Sequence, residues 1–296
     1  MFPIVLGTAK FNTFQNRETS YSLLDTFVNS GGRRLDTANN YACWHPDGEG
    51  GESETLIGEW MAERGRDSVE VMTKIGAMPT DGLTYDNLDG LSASNIKASV
   101  DACLNRLQTD RIDVLYAHVD DHRVPLLETW TAMSDLVRQG IVGELGISNY
   151  NADRVTALES EILAHGLTPF KYAQYRYSLI TPNFNRNFAP QVLLDETLND
   201  VLHASRFKPE ILTYSALLDG HLEEDPDELP EEYDNLLNIM MVEDMQAKAK
   251  NLDVSVSAFI LKTISDYGYT PITTSTNPTR MMNNLALFTN FATDKV

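Results

Sequence analysis

The chain has 296 residues, 42% apolar and 22% charged, and its 23 basic and 43 acidic side chains leave a net charge of −20. That composition describes a globular protein long enough to bury a core without disulfide or metal staples. It sets aside nucleic-acid partners, which so negative a surface repels, and membrane spans, since no run of about 18 apolar residues occurs.

From the N-terminus, residues 4–7 form a first short apolar run, and Leu24, Phe27 and Val28 mark one face of a helix after it. Runs at 33–38 and 69–76 follow, then a helical face of Ile96, Val100, Leu104 and Leu107. The run at 112–118 leads into Leu126, Trp130, Met133 and Val137, a helix that Gly140 is placed to stop. After the run at 142–149, Val155, Leu158 and Ile162 share a face, and further runs lie at 172–178, 211–217 and 270–275. Short continuous apolar runs suit parallel strands buried on both faces. Eight of them alternating with helices predict an α/β fold, one (β/α)8 TIM barrel filling residues 1–296 as a single domain. The stretch 219–234, with nine acids and no Lys or Arg, is expected to be a solvated acidic loop after the seventh strand.

Active sites of such barrels sit at the C-terminal ends of the strands. Strand two ends in Asp36-Thr37-Ala38 with Tyr41 just beyond, strand three carries Lys74, and strand four ends at His118. Each alone is as readily a structural polar residue. At successive strand ends they converge on one rim. A lysine ammonium beside a phenol favours the phenolate and makes the tyrosine a usable proton donor, and Asp36 would hold Lys74 charged. Cys43 and Cys103 make neither a disulfide framework nor a CxxC pair, and no metal ligand cluster is apparent. Absence of G-x-G-x-x-G argues against a dinucleotide-binding sheet.

Asp36-Thr37-Ala38 with Tyr41, Thr73-Lys74 and the segment from Leu104 to His118 resemble the aldo-keto reductase superfamily, and the likeness runs from Gly7-Thr8 to Phe288. The resemblance implies Asp36, Tyr41, Lys74 and His118 as a catalytic tetrad, with Tyr41 the general acid–base, a nicotinamide cofactor and no metal. It implies Ser148, Asn149 and Gln174 at the nicotinamide carboxamide, where amides and hydroxyls match both donor and acceptor. Asn149 and Asn151 are equally candidates to cap the next helix. Tyr214 would stack on the nicotinamide ring, and Gly7, Thr8, Asp36, Ser215 and Leu217 would also line the cofactor. Ser275, Asn277 and Arg280 would meet the adenosine phosphate, with Asn283 and Asn284 at the adenine. Arg280 leans the choice to NADP(H), with NAD(H) the alternative, because a guanidinium suits a 2′-phosphate.

Departures from the family pattern are Ala216 for a common Pro, Thr274 for a common Lys, Asn283 for an acid, and Arg176, for which the sequence offers no account. The chain begins close before strand one and ends soon after Phe288, so an open, shallow substrate site is expected, lined by Trp44 and His45. The reading is NAD(P)H-dependent reduction of aldehydes or ketones by a cytoplasmic monomer or weak oligomer acting on a small-molecule carbonyl or alcohol. Alternatives are an NAD-dependent sugar or polyol dehydrogenase, and a nicotinamide-binding redox-sensing or regulatory subunit. An intact tetrad argues against the last, since a sensor needs no acid.

Overall fold

A computed structural model describes residues 2–81, 87–184 and 186–289. The apolar runs form β1 (Val5–Gly7), β2 (Arg34–Asp36), β3 (Glu70–Ile75), β4 (Ile112–Ala117), β5 (Val142–Ser148), β6 (Phe170–Arg176), β7 (Glu210–Tyr214) and β8 (Thr270–Thr273). They pair in parallel in chain order, and β8 returns to β1, closing an eight-stranded barrel. Both faces of such strands are covered, which is why they read as continuous apolar runs.

Val5, Met72, Val114, Tyr116, Leu212 and Ile272 fill the barrel interior, with Tyr172 and Tyr214 packed against them. A Cβ built on Gly146 would lie 2.4 Å from Tyr116 Cε1, so glycine there leaves room for that ring. The outer faces of the strands meet α1 (Arg17–Asn29), α2 (Glu52–Arg64), α3 (Ala93–Leu107), α4 (Leu126–Arg138), α5 (Ala152–His165) and α6 (Glu196–Ala204). Between β7 and β8 come two helices, α7 (Leu236–Asn251) and α8 (Val256–Asp266), and α9 (Pro278–Thr289) then packs on α8 and α1. Asn16, Ser92, Asn151, Asp195, Asn235 and Ser255 each accept a backbone N–H of the first turn, fixing where α1, α3, α5, α6, α7 and α8 begin. Among the described residues no helix is long and apolar enough to cross a membrane.

All eight strands differ from the sequence reading at one or both ends, and three of the differences have a local cause. β6 starts at Phe170 rather than 172, because Phe170 pairs with Leu145 across an irregularity in the register with β5. β7 stops at Tyr214, where Ser215 turns the backbone into the left-handed region at φ 58°. β2 ends at Asp36, yet Thr37 and Asn39 still donate to the β3 carbonyls of Met72 and Lys74, so the edge continues as an irregular ladder. The acidic stretch is less solvated than expected. It folds into 3-10 turns at Leu218–Glu223 and Pro226–Glu228 and buries Leu222, Leu229 and Tyr233, while most of its acids face water.

Candidate active site

The C-terminal ends of β2, β3 and β4 bring four side chains together. Asp36 ends β2, Lys74 lies near the end of β3, His118 follows β4, and Tyr41 stands on the turn after β2. Lys74 has no solvent exposure, and its ammonium lies 2.8 Å from the Asp36 carboxylate, 2.8 Å from the Thr37 carbonyl and 3.1 Å from the Tyr41 hydroxyl. Tyr41 also donates to Asp36 at 3.4 Å, and the Gln174 amide donates to the other Asp36 oxygen at 2.6 Å. A buried ammonium is tolerable because every one of these contacts is an acceptor. Burial pushes the Lys74 pKa down while Asp36 opposes the shift. His118 sets its ring edge-on to Tyr41, 6.1 Å between centroids. Burial first, and the Lys74 ammonium second, push its pKa well below the ordinary 6.5. The imidazole is therefore neutral at physiological pH.

Tyr41 and His118 open on a cavity of about 500 Å³. Of the residues singled out in the sequence, Gly7, Trp44, Asn149, Gln174, Tyr214, Ser215, Leu217, Ser275, Arg280 and Asn284 line it. Asp36 and Lys74 lie beneath its wall, reaching it through Tyr41 and Gln174. Ser148 is likewise below, its hydroxyl donated to the Gln174 carbonyl at 2.9 Å. Thr8 is buried in a knot with Ser53, whose hydroxyl donates to Thr8 Oγ1 at 2.7 Å, and it does not reach the cavity. Asn277 is spent on α9, accepting the Arg280 N–H at 2.9 Å, and Asn283 is exposed outside the lining. His45 packs edge-on to Phe14 at 4.7 Å and is not among the lining residues, whereas Trp44 is edge-on to Tyr41 at 5.7 Å.

Asn149 is the rim's cross-link. Its Oδ1 accepts from the Tyr214 hydroxyl at 2.8 Å and from Val192 N at 3.0 Å, and its Nδ2 donates to the His118 carbonyl at 2.9 Å. Its φ of 60° is one asparagine tolerates, and Asn151, not Asn149, caps α5. Burial pushes the Tyr214 phenol up, so it stays a neutral donor to Asn149.

Sequence reasoning missed several lining residues. Lys10 and Gln15 come from the loop after β1, and Phe188, Ala189, Pro190 and Gln191 from the loop after β6. Their signal was positional only: any side chain between a barrel strand's C-terminal end and its helix is a candidate. Lys10 donates to Asp219 at 2.9 Å and Arg280 pairs with Glu223 at 3.2 Å, so the acidic stretch is bonded to both the β1 loop and α9. Glu223 is itself held by Ser257, whose hydroxyl donates to it from the first turn of α8.

Two buried carboxamide oxygens in the lining, Gln15 Oε1 and Asn284 Oδ1, have no partner among the described residues. Gln15 Nε2 donates to the Ser275 carbonyl at 2.6 Å, which orients its oxygen the other way. Buried acceptors of this kind match hydroxyl or amine donors on a ligand. The start of α9 and Arg280 lie beside the same lining, where a helix N-terminus and a guanidinium favour phosphate. These residues fit an extended dinucleotide.

A family model described as the aldo/keto reductase family matches residues 3–296. Norsolorinic acid reductase A of Aspergillus parasiticus is 36% identical over 203 residues, which cover 64% of this chain and 50% of that protein. An aryl-alcohol dehydrogenase of Pestalotiopsis microspora is 38% identical over 177 residues, 59% of this chain and 44% of that protein. Norsolorinic acid reductase B of Aspergillus parasiticus is 34% identical over 223 residues, 70% and 56% respectively. The chain spans about half the length of the curated relatives it matches.

Proposed function

The chain belongs to the aldo/keto reductase family, and on that premise we propose that it reduces aldehydes or ketones to alcohols with a nicotinamide cofactor, Tyr41 donating the proton. When bound, the nicotinamide supplies the hydride. The observation that carries the reading is the Lys74 ammonium 3.1 Å from the Tyr41 hydroxyl on the cavity wall. An ammonium so placed stabilises the phenolate left when Tyr41 gives its proton to the substrate oxygen. Asp36 holds Lys74 in position, and the Gln174 amide holds Asp36. His118, kept neutral, offers hydrogen bonding beside Tyr41 without a second positive charge next to Lys74.

Asn149, Gln174 and Tyr214 would hold the nicotinamide end, and Arg280, Gln15 and Asn284 the adenosine end. NADP(H) is preferred because the Arg280 guanidinium lines the cavity and suits a 2′-phosphate, and NAD(H) is also accepted because Glu223 already shares the Arg280 charge. Trp44 and Phe188 give the cavity two aromatic walls, which suits aryl carbonyls. The likeness to an aryl-alcohol dehydrogenase supports the same class in the oxidative direction, and the likeness to norsolorinic acid reductases supports reduction.

The test is NADPH oxidation with benzaldehyde in wild type and Tyr41→Phe. Turnover should fall about 10²- to 10⁴-fold in the variant, with NADPH binding within about twofold. Full activity in Tyr41→Phe would remove Tyr41 from the mechanism.

A further inference from the structure

Arg176, the last residue of β6, bonds to three separate segments at once. Its Nη1 donates to Gln191 Oε1 at 2.9 Å and to Ser215 Oγ at 3.2 Å, and its Nε donates to the Tyr233 hydroxyl at 3.3 Å. The guanidinium carbon stands 4.7 Å over the Phe188 ring and 6.0 Å from that of Tyr233. Phe188 and Gln191 belong to the loop after β6, Ser215 to the turn after β7, and Tyr233 to the acidic stretch, where it is buried. Phe188, Gln191 and Ser215 all line the cavity.

The backbone around this contact is irregular, so side chains decide its shape. The β6 loop is pinned to Arg176 itself by Arg176 N donating to the Val192 carbonyl at 3.2 Å and Leu194 N donating to the Arg176 carbonyl at 2.9 Å. Ahead of that pin, the guanidinium bonds to Gln191 and lies over Phe188, whose ring also meets Tyr233 directly at 6.2 Å between centroids. One nitrogen serves both Gln191 and Ser215, and the planar group cannot turn toward one partner without leaving the other. Tyr233, held in the core, fixes the third corner.

We propose that Arg176 is a positioning residue that ties the aromatic substrate wall at Phe188–Gln191 to the cofactor-facing Ser215, so that filling the cofactor end of the cavity sets the shape of the substrate end. The inference rests on the assignment of Ser215 to the cofactor. Arg176 touches neither reacting atom; it acts through the two segments it joins. A displacement of Ser215 by bound NADPH reaches Phe188 through the guanidinium, and a substrate ring against Phe188 stabilises the same arrangement in return.

The experiment uses NADPH and benzaldehyde with Arg176→Met, Arg176→Lys, Ser215→Ala and the doubles with Ser215→Ala. NADPH affinity is read by direct fluorescence titration, which needs no turnover. In Arg176→Met the KM for benzaldehyde at saturating NADPH should rise about tenfold and the NADPH Kd about threefold, with kcat within about twofold. Arg176→Lys, which keeps the cation over Phe188 but not the fork, should recover part of the KM and none of the Kd. Ser215→Ala should raise the benzaldehyde KM in the Arg176 background and leave it unchanged in the Arg176→Met background. A purely structural arginine would give additive effects instead, and additivity overturns the proposal. As a readout free of turnover, NADPH should protect the Phe188–Ala189 bond from chymotrypsin in wild type and fail to protect it in Arg176→Met; equal protection also overturns it. Wild type that binds no NADPH sinks the cofactor assignment first, a result told apart from failure of the coupling because the titration is made on unaltered protein.

Discussion

Lys74 is enclosed by protein, and what keeps its charge is the set of oxygens around it: Asp36, Thr37 and Tyr41. Removing it therefore does two things. Lys74→Met should lower kcat about 10²- to 10⁴-fold, because nothing then steadies the Tyr41 phenolate. It should also cost about 3 kcal/mol of stability, because Asp36 is left buried with only Tyr41 and the Gln174 amide. Denaturant unfolding of Lys74→Met and of the double variant with Asp36→Asn checks this; the double should recover most of the loss. His118 gives a pH signature of its own. Unfolded, it takes a proton as pH falls through 6.5; folded, it resists far lower. The unfolded chain then binds more protons, so stability falls as pH drops below 6.5, by at most about 1.4 kcal/mol per pH unit from this group. Unfolding of His118→Leu between pH 7.5 and 5.5 should show a shallower decline than wild type by about 1 kcal/mol. A parallel decline in the two proteins would mean that the folded imidazole titrates normally.

At the scale of elements, α2 and α3 touch through a residue chosen for its lack of a side chain. A Cβ on Gly58 would lie 2.3 Å from the Arg106 carbonyl oxygen and 2.7 Å from the Leu107 carbonyl carbon. Those are backbone atoms at the end of α3 and cannot swing aside. Helix propensity alone would make Gly58→Ala favourable by about 1 kcal/mol, yet overpacking should win and leave a net loss of about 1–3 kcal/mol. Thermal unfolding decides between the two signs. Elements were also what the sequence showed best. The strands were readable because parallel strands buried on both faces leave unbroken apolar runs, and α3 and α4 because their apolar faces repeat at helical spacing. Asp36, Lys74 and His118 were readable because they sit on or beside strand ends, and Tyr41 because it follows one closely. Less was legible where position depends on loops. Nothing local marks Phe188 or Gln15 as lining a cavity, and the pull of Leu222, Leu229 and Tyr233 into the core was masked by the acids around them. Asn277 is ambiguous by type, because the same residue that can contact a nucleotide also caps a helix, here α9.

Across the whole molecule the barrel separates its tasks by end. Chemistry-bearing side chains stand where the strands finish, whereas at the other end Arg34, the first residue of β2, reaches Glu210, the first of β7, at 2.6 Å. Glu210 also accepts from Thr270, the first of β8, at 2.5 Å, and Arg34 donates to the Phe2 carbonyl at 3.3 Å. Arg34 is almost fully buried while Glu210 is 33% exposed, so the pair is only partly desolvated and its carboxylate keeps some water. Arg34→Met should therefore cost about 2 kcal/mol, less than a fully buried pair would, and lower the Tm by several degrees. A closed ring has no free edge to unzip separately, so the loss should appear as a shift of a single unfolding transition and not as a new early one. At a temperature where both proteins are folded, kcat and KM should stay within about twofold of wild type, because the Arg34 guanidinium bonds to Glu210 and the Phe2 carbonyl, and Asp36, two residues further along β2, keeps its own bonds to Lys74 and Gln174. If Arg34→Met instead loses activity while its Tm is unchanged, the two ends are mechanically linked through the interior layer of Tyr116, Leu212 and Met72, and the division of labour between floor and rim does not hold.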